Sequence, residues 1–222
     1  MGILGAFLRT AEQTVRRLSE PEVAREWTAP SALPGMTVGG LAAHLAYQIH
    51  SVRETVDAPV PPGDEPIDLD ERYARADWLG APREAEINTG ILARAEELAR
   101  PGPEAVAGQV RKVLDGLRAE FGTDADGTDS GGWEERVVHD SRAGWSLTLG
   151  TFLTTRLLEL VVHLDDLAAS LGREPAPPVD EEAYDLVLVL LARLAARRHG
   201  QSAVLRALAR TERAPEGGVS AL

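Results

Sequence analysis

Apolar residues return every three or four positions along most of the chain, the spacing of helices with one face turned to a core. Leu4, Phe7, Leu8, Ala11, Val15 and Leu18 predict a helix over 3–19. Pro30, Pro34 and Gly35 interrupt the pattern, and Thr37 reads as the N-cap of a second helix near 38–57, with Leu41, Leu45, Ile49, Val52 and Val56 on one face. A breaker-rich loop follows (Pro59, Pro61, Pro62, Gly63, Pro66), then a short helix near 69–79 and another over about 83–100. Pro101-Gly102-Pro103 stops that one and opens a helix over roughly 103–121. Gly and Asp dominate 122–132, and Glu135 to His139 reads as a short extended piece. The strongest periodicity runs over about 147–171 through Leu149, Leu153, Leu157, Leu160, Leu164, Leu167 and Leu171, with Ser146 as the expected N-cap and Gly172 as the stop. Helices near 180–198 and 201–210 flank Gly200, and the tail after Ala214 is expected to fray.

Long helices with loops of moderate length make the expected class mainly all-α, an up-and-down four-helix bundle with additional C-terminal helices. The expected division is a bundle domain over 1–174 and a helical extension over 175–222 packed on it.

Composition narrows the function. The chain has 222 residues, 35 acidic against 23 basic, a formal charge of −12 and a pI near 4.9. A protein that neutralises phosphates needs a basic face, so neither nucleic acid nor an anionic membrane is an expected partner. No apolar run reaches the roughly 20 residues needed to span a bilayer. The N-terminus lacks a basic stretch ahead of a long apolar one, so no signal peptide is expected, and a cytoplasmic location is the default reading. There is no cysteine, which leaves nitrogen and oxygen as metal donors and requires any thiol chemistry to use a thiol from outside.

The histidines carry the candidate chemistry. Glu159 and His163 are four residues apart, so they project from the same helical face. Arg156 and Asp166 complete a polar stripe about 80° wide on the wheel, bordering the leucine face. Polar groups there need partners. One reading is an intrahelical network, Arg156 with Glu159 and His163 with Asp166. The other is metal. His44 sits mid-helix in Leu41-Ala42-Ala43-His44-Leu45-Ala46, and a bundle can bring it opposite Glu159 and His163. Two imidazoles and a carboxylate make a set suited to a zinc ion with an open position, though nickel or iron also takes such donors. His199 reads as a cation at a helix end, His139 lies in the irregular segment, and His50 is expected at a rim or surface. Trp133 and Trp145 flank the entry to the long helix and read as pocket lining or as packing. Asp124 to Asp129 with Glu135 has the look of a calcium loop, but Asp129 stands where the sharp turn needs Gly, so an acidic loop is expected.

Three stretches carry a family resemblance. Trp27-Thr28-Ala29-Pro30-Ser31, Leu33-Pro34-Gly35-Met36-Thr37-Val38 and Leu41-Ala42-Ala43-His44-Leu45 form the first. Gly144-Trp145-Ser146-Leu147-Thr148-Leu149, continuing through Thr155-Arg156-Leu157-Leu158-Glu159-Leu160-Val161-Val162-His163 to Asp166-Leu167-Ala168, is the second. His199-Gly200 with the run Ala203 to Ala214 is the third. Together they resemble the mycothiol-dependent maleylpyruvate isomerase-like proteins of the DinB/YfiT-like superfamily. The resemblance implies an up-down-down-up bundle and a divalent metal, usually zinc, on His44, Glu159 and His163. It gives Arg156 and Asp166 roles in orienting a ligand or facing substrate. It implies mycothiol or another small thiol as cofactor, a small electrophilic substrate and a possible homodimer. The activity it implies is isomerase of the maleylpyruvate type or S-transferase, with a non-catalytic metal-binding or regulatory bundle as the alternative. In the isomerase version a thiolate adds to the double bond of a cis-enedioate, the resulting single bond turns, and the thiolate leaves. Arg156, Arg206 or Arg210 is the candidate partner for a substrate carboxylate. The isomerase type also carries a C-terminal domain; with 59 residues after His163, a full one is not expected here.

Overall fold

The structure is a computed structural model and describes residues 2–82, 84–122 and 131–222. Helices α1 (Ile3–Leu18), α2 (Pro21–Arg25), α3 (Val38–Asp57), α4 (Leu69–Ala74), α5 (Glu86–Ala99) and α6 (Pro103–Phe121) come first. A hairpin of β1 (Val137–Asp140) and β2 (Trp145–Thr148) follows, then α7 (Leu149–Ser170), α8 (Glu181–His199) and α9 (Gln201–Ala209). The fold is all-α with this one antiparallel hairpin among the described residues, Val137 opposite Thr148 and Asp140 opposite Trp145.

The bundle is a ring of α1, α3, α6 and α7. Helix α7 packs against α1 on one side and α3 on the other, and α6 touches both α1 and α3. The leucines that set the period of α7 fill its centre: Leu149, Leu153, Leu157 and Leu160 are fully buried beside Leu41, Leu45 and Ile49 of α3 and Leu114 and Leu117 of α6. Burying each such side chain is worth about 1.5–3 kcal/mol. Helix α5 covers α3, while α8 lies against α7 and α1 and carries α9. Arg9 of α1 ties down the start of α8 through Asp180 (2.6 Å) and Glu182 (2.9 Å).

Helix α3 starts where the sequence places it. Thr37 Oγ1 accepts the Gly40 N–H at 2.9 Å, and Glu96 of α5 accepts from the Thr37 N–H at 2.7 Å and from its hydroxyl at 3.0 Å. Glycine is required at 39 by close approach, since a Cβ would strike the Trp27 backbone carbonyl at 2.8 Å; a Cβ at 40 would displace the Glu96 carboxylate that caps α3.

Several boundaries differ from expectation. The helix expected from 147 starts at Leu149, capped by Thr148, whose Oγ1 accepts the Thr151 N–H at 3.2 Å. Ser146, the expected cap, lies in β2; its hydroxyl donates to Asp64 at 2.6 Å and its carbonyl accepts from Ile67, drawing the proline-rich loop onto the hairpin. The extended piece near 135–139 is β1, whose partner strand the sequence reading missed. The helix expected over 69–79 ends at Ala74, and the one expected from 83 begins at Glu86. The tail folds back instead of fraying: Arg198 donates to the Leu222 carbonyl at 3.1 Å, and His199 lies 2.8 Å from that of Ser220. The acidic stretch 124–129 lies outside the described residues. No helix of the described residues is long and apolar enough to cross a membrane.

The cap carries a measurable expectation. Thr148→Ala should lower stability to denaturant by about 1 kcal/mol, since it strips a side-chain acceptor from the start of α7. An unchanged midpoint would show that the hairpin alone sets where α7 begins.

Candidate metal centre and its cavity

Helix α3 supplies His44 and α7 supplies Glu159 and His163, and the packing of the two helices brings the three together. Their ligand atoms all lie within 4.8 Å of one another. His44 Nε2 is 3.5 Å and His163 Nε2 is 3.3 Å from the same oxygen, Glu159 Oε2. The two rings meet edge to face, with centroids 4.9 Å apart and planes at 83°. All three side chains are largely buried, at 17–19% exposure.

These separations bear on what fits between the groups. A charge-assisted N–H···O bond draws its atoms to about 2.7–2.9 Å. Donors about 2.0–2.1 Å from a tetrahedral ion stand about 3.3–3.4 Å apart. The two distances to Glu159 Oε2 are longer than the first spacing and close to the second. The His163 ring is fixed from behind, since its Nδ1 lies 2.8 Å from Asp166 Oδ2. With the Asp166 carboxylate as acceptor, Nδ1 carries the hydrogen and Nε2 is turned toward the centre, a common arrangement behind ligating histidines.

The same partners set the local electrostatics. Burial pushes the Glu159 carboxyl up, but the adjacent His163 and His44 imidazoles overcome it and hold the group well below the usual carboxylate range. Burial pushes the His163 imidazole down, yet Asp166 and Glu159 together carry it up to about 9.

Arg156 does not pair with Glu159. It donates to Gln48 Oε1 at 2.8 Å and to Thr155 Oγ1 at 3.1 Å. Gln48 is thereby oriented with its amide nitrogen 3.1 Å from both His44 Nε2 and the His44 carbonyl. Of the two intrahelical pairs considered from sequence, His163–Asp166 forms and Arg156–Glu159 does not. Asp166 touches His163 without lining the cavity, so its contact is with the imidazole alone.

The triad forms part of the wall of a cavity of about 740 Å³. Trp78, Tyr47, Gln48 and Arg72 also line it, and none of these four was singled out from the sequence. Gln48 was in principle legible, one helical turn after His44; Trp78 and Arg72 depend on how the segment after the proline-rich loop folds back. Burial raises the Tyr47 phenol to about 12, so it stays protonated at neutral pH.

The other candidates lie elsewhere. Arg206 and Arg210 line none of the cavities described here, and both are exposed. His50 lines a separate small pocket. His139 Nδ1 lies 3.2 Å from both Asp64 and Ser146, but the buried Ser146 hydroxyl is committed to Asp64, so the trio pins loop to hairpin and offers no free nucleophile. Trp133 packs edge-on against Phe121 at 5.0 Å, and Trp145 lies under Arg72 and Arg75.

Bundle and triad define a class, the DinB-like all-α proteins with a possible metal site between facing helices. More narrowly, the chain belongs to the family of the mycothiol maleylpyruvate isomerase N-terminal domain, whose family model matches residues 8–168. That span includes His44, Glu159 and His163 and stops before α8. No curated protein and no solved structure matches the chain.

Proposed function

We propose that this protein is a metal-dependent enzyme that uses a small thiol, mycothiol by the family's name, to act on a small electrophile. The observation that carries the reading is the spacing of His44, Glu159 and His163 at the wall of a large cavity. Three protein donors beside open space leave a coordination position free, as in catalytic rather than structural sites. Zinc is the ion we assign, with nickel and iron as the other fits to two nitrogens and one oxygen. A divalent ion bound there would lower the pKa of a thiol, supplying a thiolate at neutral pH to a protein that has no cysteine of its own.

The chain's own residues do the rest. His44, Glu159 and His163 hold the ion, Asp166 fixes the His163 tautomer, and Arg156 orients Gln48 against His44. A cavity of this volume accommodates a drug-sized molecule, enough for a thiol cofactor with a small electrophile. The thiolate sulfur forms a bond to an electrophilic carbon. For an isomerase the electron pair passes onto the conjugated carbonyl, the single bond turns, and the pair returns as sulfur leaves. For a transferase acting on an aryl halide the carbon–halogen bond breaks as the carbon–sulfur bond forms, the halide leaves with the electron pair, and the thioether is released.

The test is turnover of zinc-loaded protein with maleylpyruvate and with an aryl halide acceptor, each with and without mycothiol. Consumption of either compound that requires both zinc and thiol is the expected result. Metal-loaded protein indifferent to mycothiol and to substitute thiols with both compounds would overturn the proposal.

A further inference from the structure

Many of the chain's arginines are paired with acidic side chains. Arg9, Arg17, Arg53, Arg111, Arg118 and Arg173 each grip a carboxylate. Arg72 and Arg156 form no ion pair among the described residues, and neither do Arg94 and Arg198, which line the same cavity. Arg72, on α4, rests on rings instead: its guanidinium carbon is 5.4 Å from the Trp145 centroid and 5.8 Å from that of Tyr73. Arg156 lies over Phe152 at 5.0 Å and spends its hydrogen bonds on neutral oxygens. Both line the metal cavity, and both line a second cavity of about 260 Å³ next to it, bounded also by Ser51, Thr55 and His139 and by two carboxylates, Glu54 and Asp140. The residues common to both spaces are Tyr47, Arg72, Arg142 and Arg156, so the shared wall is basic, while Glu54 and Asp140 line the smaller space alone.

In a protein of formal charge −12 this wall is an exception. Arg94, Arg142 and Arg198 also line the larger cavity, and Glu159 is the one acidic side chain among the described lining residues. Two half-buried guanidiniums facing one space repel each other, and burial together with the charge of Arg156 holds Arg72 below its ordinary value. Fixed donors of one sign in a cleft draw in a ligand of the other. Planar guanidiniums held by aromatic faces suit a carboxylate, which they can bind through paired N–H groups.

We propose that Arg72 and Arg156 form a carboxylate-binding subsite on the wall shared by the two cavities, and that the electrophile presents its carboxylate there with its reactive carbon toward the triad. Arg72 is the new assignment: it sets specificity by touching the substrate's charge, and it lies outside the two stretches of chain that carry the triad. The assignment deepens the proposed reaction and rests on that reading for its chemistry, but the subsite itself needs no metal.

The test is succinate binding, read by calorimetry and by tryptophan emission, which the contact of Arg72 with Trp145 makes a local reporter. Metal-free and zinc-loaded protein are both titrated. Succinate is expected to bind saturably to both and succinamide to neither. Arg72→Gln should weaken succinate about tenfold or more, Arg72→Lys should recover part of the loss, and Arg206→Gln on exposed α9 should change nothing. Arg156→Gln provides the same comparison if Arg72→Gln fails to fold. Zinc stoichiometry of Arg72→Gln is expected to equal that of the unaltered protein. Succinate binding that is absent, indifferent to both arginine substitutions, or matched by succinamide would overturn the subsite. Failure of zinc to bind at all, with succinate binding intact, would overturn only the metal reading.

Discussion

His44→Ala is expected to take bound zinc from one ion per chain to none while leaving the helical content in place. The argument is geometric. His44 is the sole ligand contributed by α3, and without it the site keeps only Glu159 and His163 from one face of α7. Losing a group that merely orients a ligand costs about 10–100-fold in metal affinity, so losing the ligand itself should cost more. The fold should survive because the weight-bearing face of α3 is a different one: Leu41, Leu45 and Ile49 are fully buried and untouched by the change. His50→Ala, on the same helix but in another pocket, is the matched control and should keep its zinc. Thiol-dependent turnover should vanish with the metal. Elemental analysis decides the matter: a full equivalent of zinc in His44→Ala would remove His44 from the ligand set and with it the convergence of α3 and α7 on one ion.

How much of this could be read from the chain depended on whether the signal was local. The α7 leucines recur at helical spacing and are buried where that spacing put them, so the bundle was legible. Glu159 and His163 share a face by arithmetic alone, and His44 stood out as a polar residue inside an apolar helix. What the sequence did not disclose is set by contacts between distant segments. Ser146 has the chemistry of a helix cap, yet a strand four residues long forms there, because Val137 to Asp140 pair with it and Asp64 takes its hydroxyl. The tail after Ala214 has little apolar content, and it is retained by carbonyls that Arg198 and His199 reach and by Val219 and Ala221 packing on the core. Arg72 reads as an ordinary surface charge on a short helix. Its significance appears only when Trp145, brought from the hairpin, lies beneath it and Arg156 lines the same wall. The expected pairing of Arg156 with Glu159 failed for a related reason: Gln48, on another helix, offered Arg156 a partner that helical spacing within α7 could not show.

The second large effect expected is on pH. In the metal-free protein His163 holds a proton up to about pH 9, since Asp166 and Glu159 stabilise the imidazolium against the cost of burial. A metal needs that nitrogen neutral, so binding must expel the proton. Apparent zinc affinity should therefore rise about tenfold per pH unit from this group alone, and this dependence should fade above the raised pKa. Calorimetry at pH 7.5 in buffers of different ionisation enthalpy should find about one proton released per ion. The sign for stability runs the other way. A group whose folded pKa is raised from 6.5 to about 9 stabilises the metal-free fold fully below pH 6.5, and that contribution is lost as pH rises through 9. The loss is at most about 3 kcal/mol, and zinc-loaded protein should not show it because the ion replaces the proton. Asp166→Asn separates this account from a general effect of alkali. Removing the Asp166 charge lowers the His163 pKa, so the point where zinc affinity levels off should move down toward the ordinary histidine range. An affinity curve that levels near pH 6.5 in the unaltered protein, or one that Asp166→Asn leaves in place, would mean that no proton held by Glu159 and Asp166 competes with the metal.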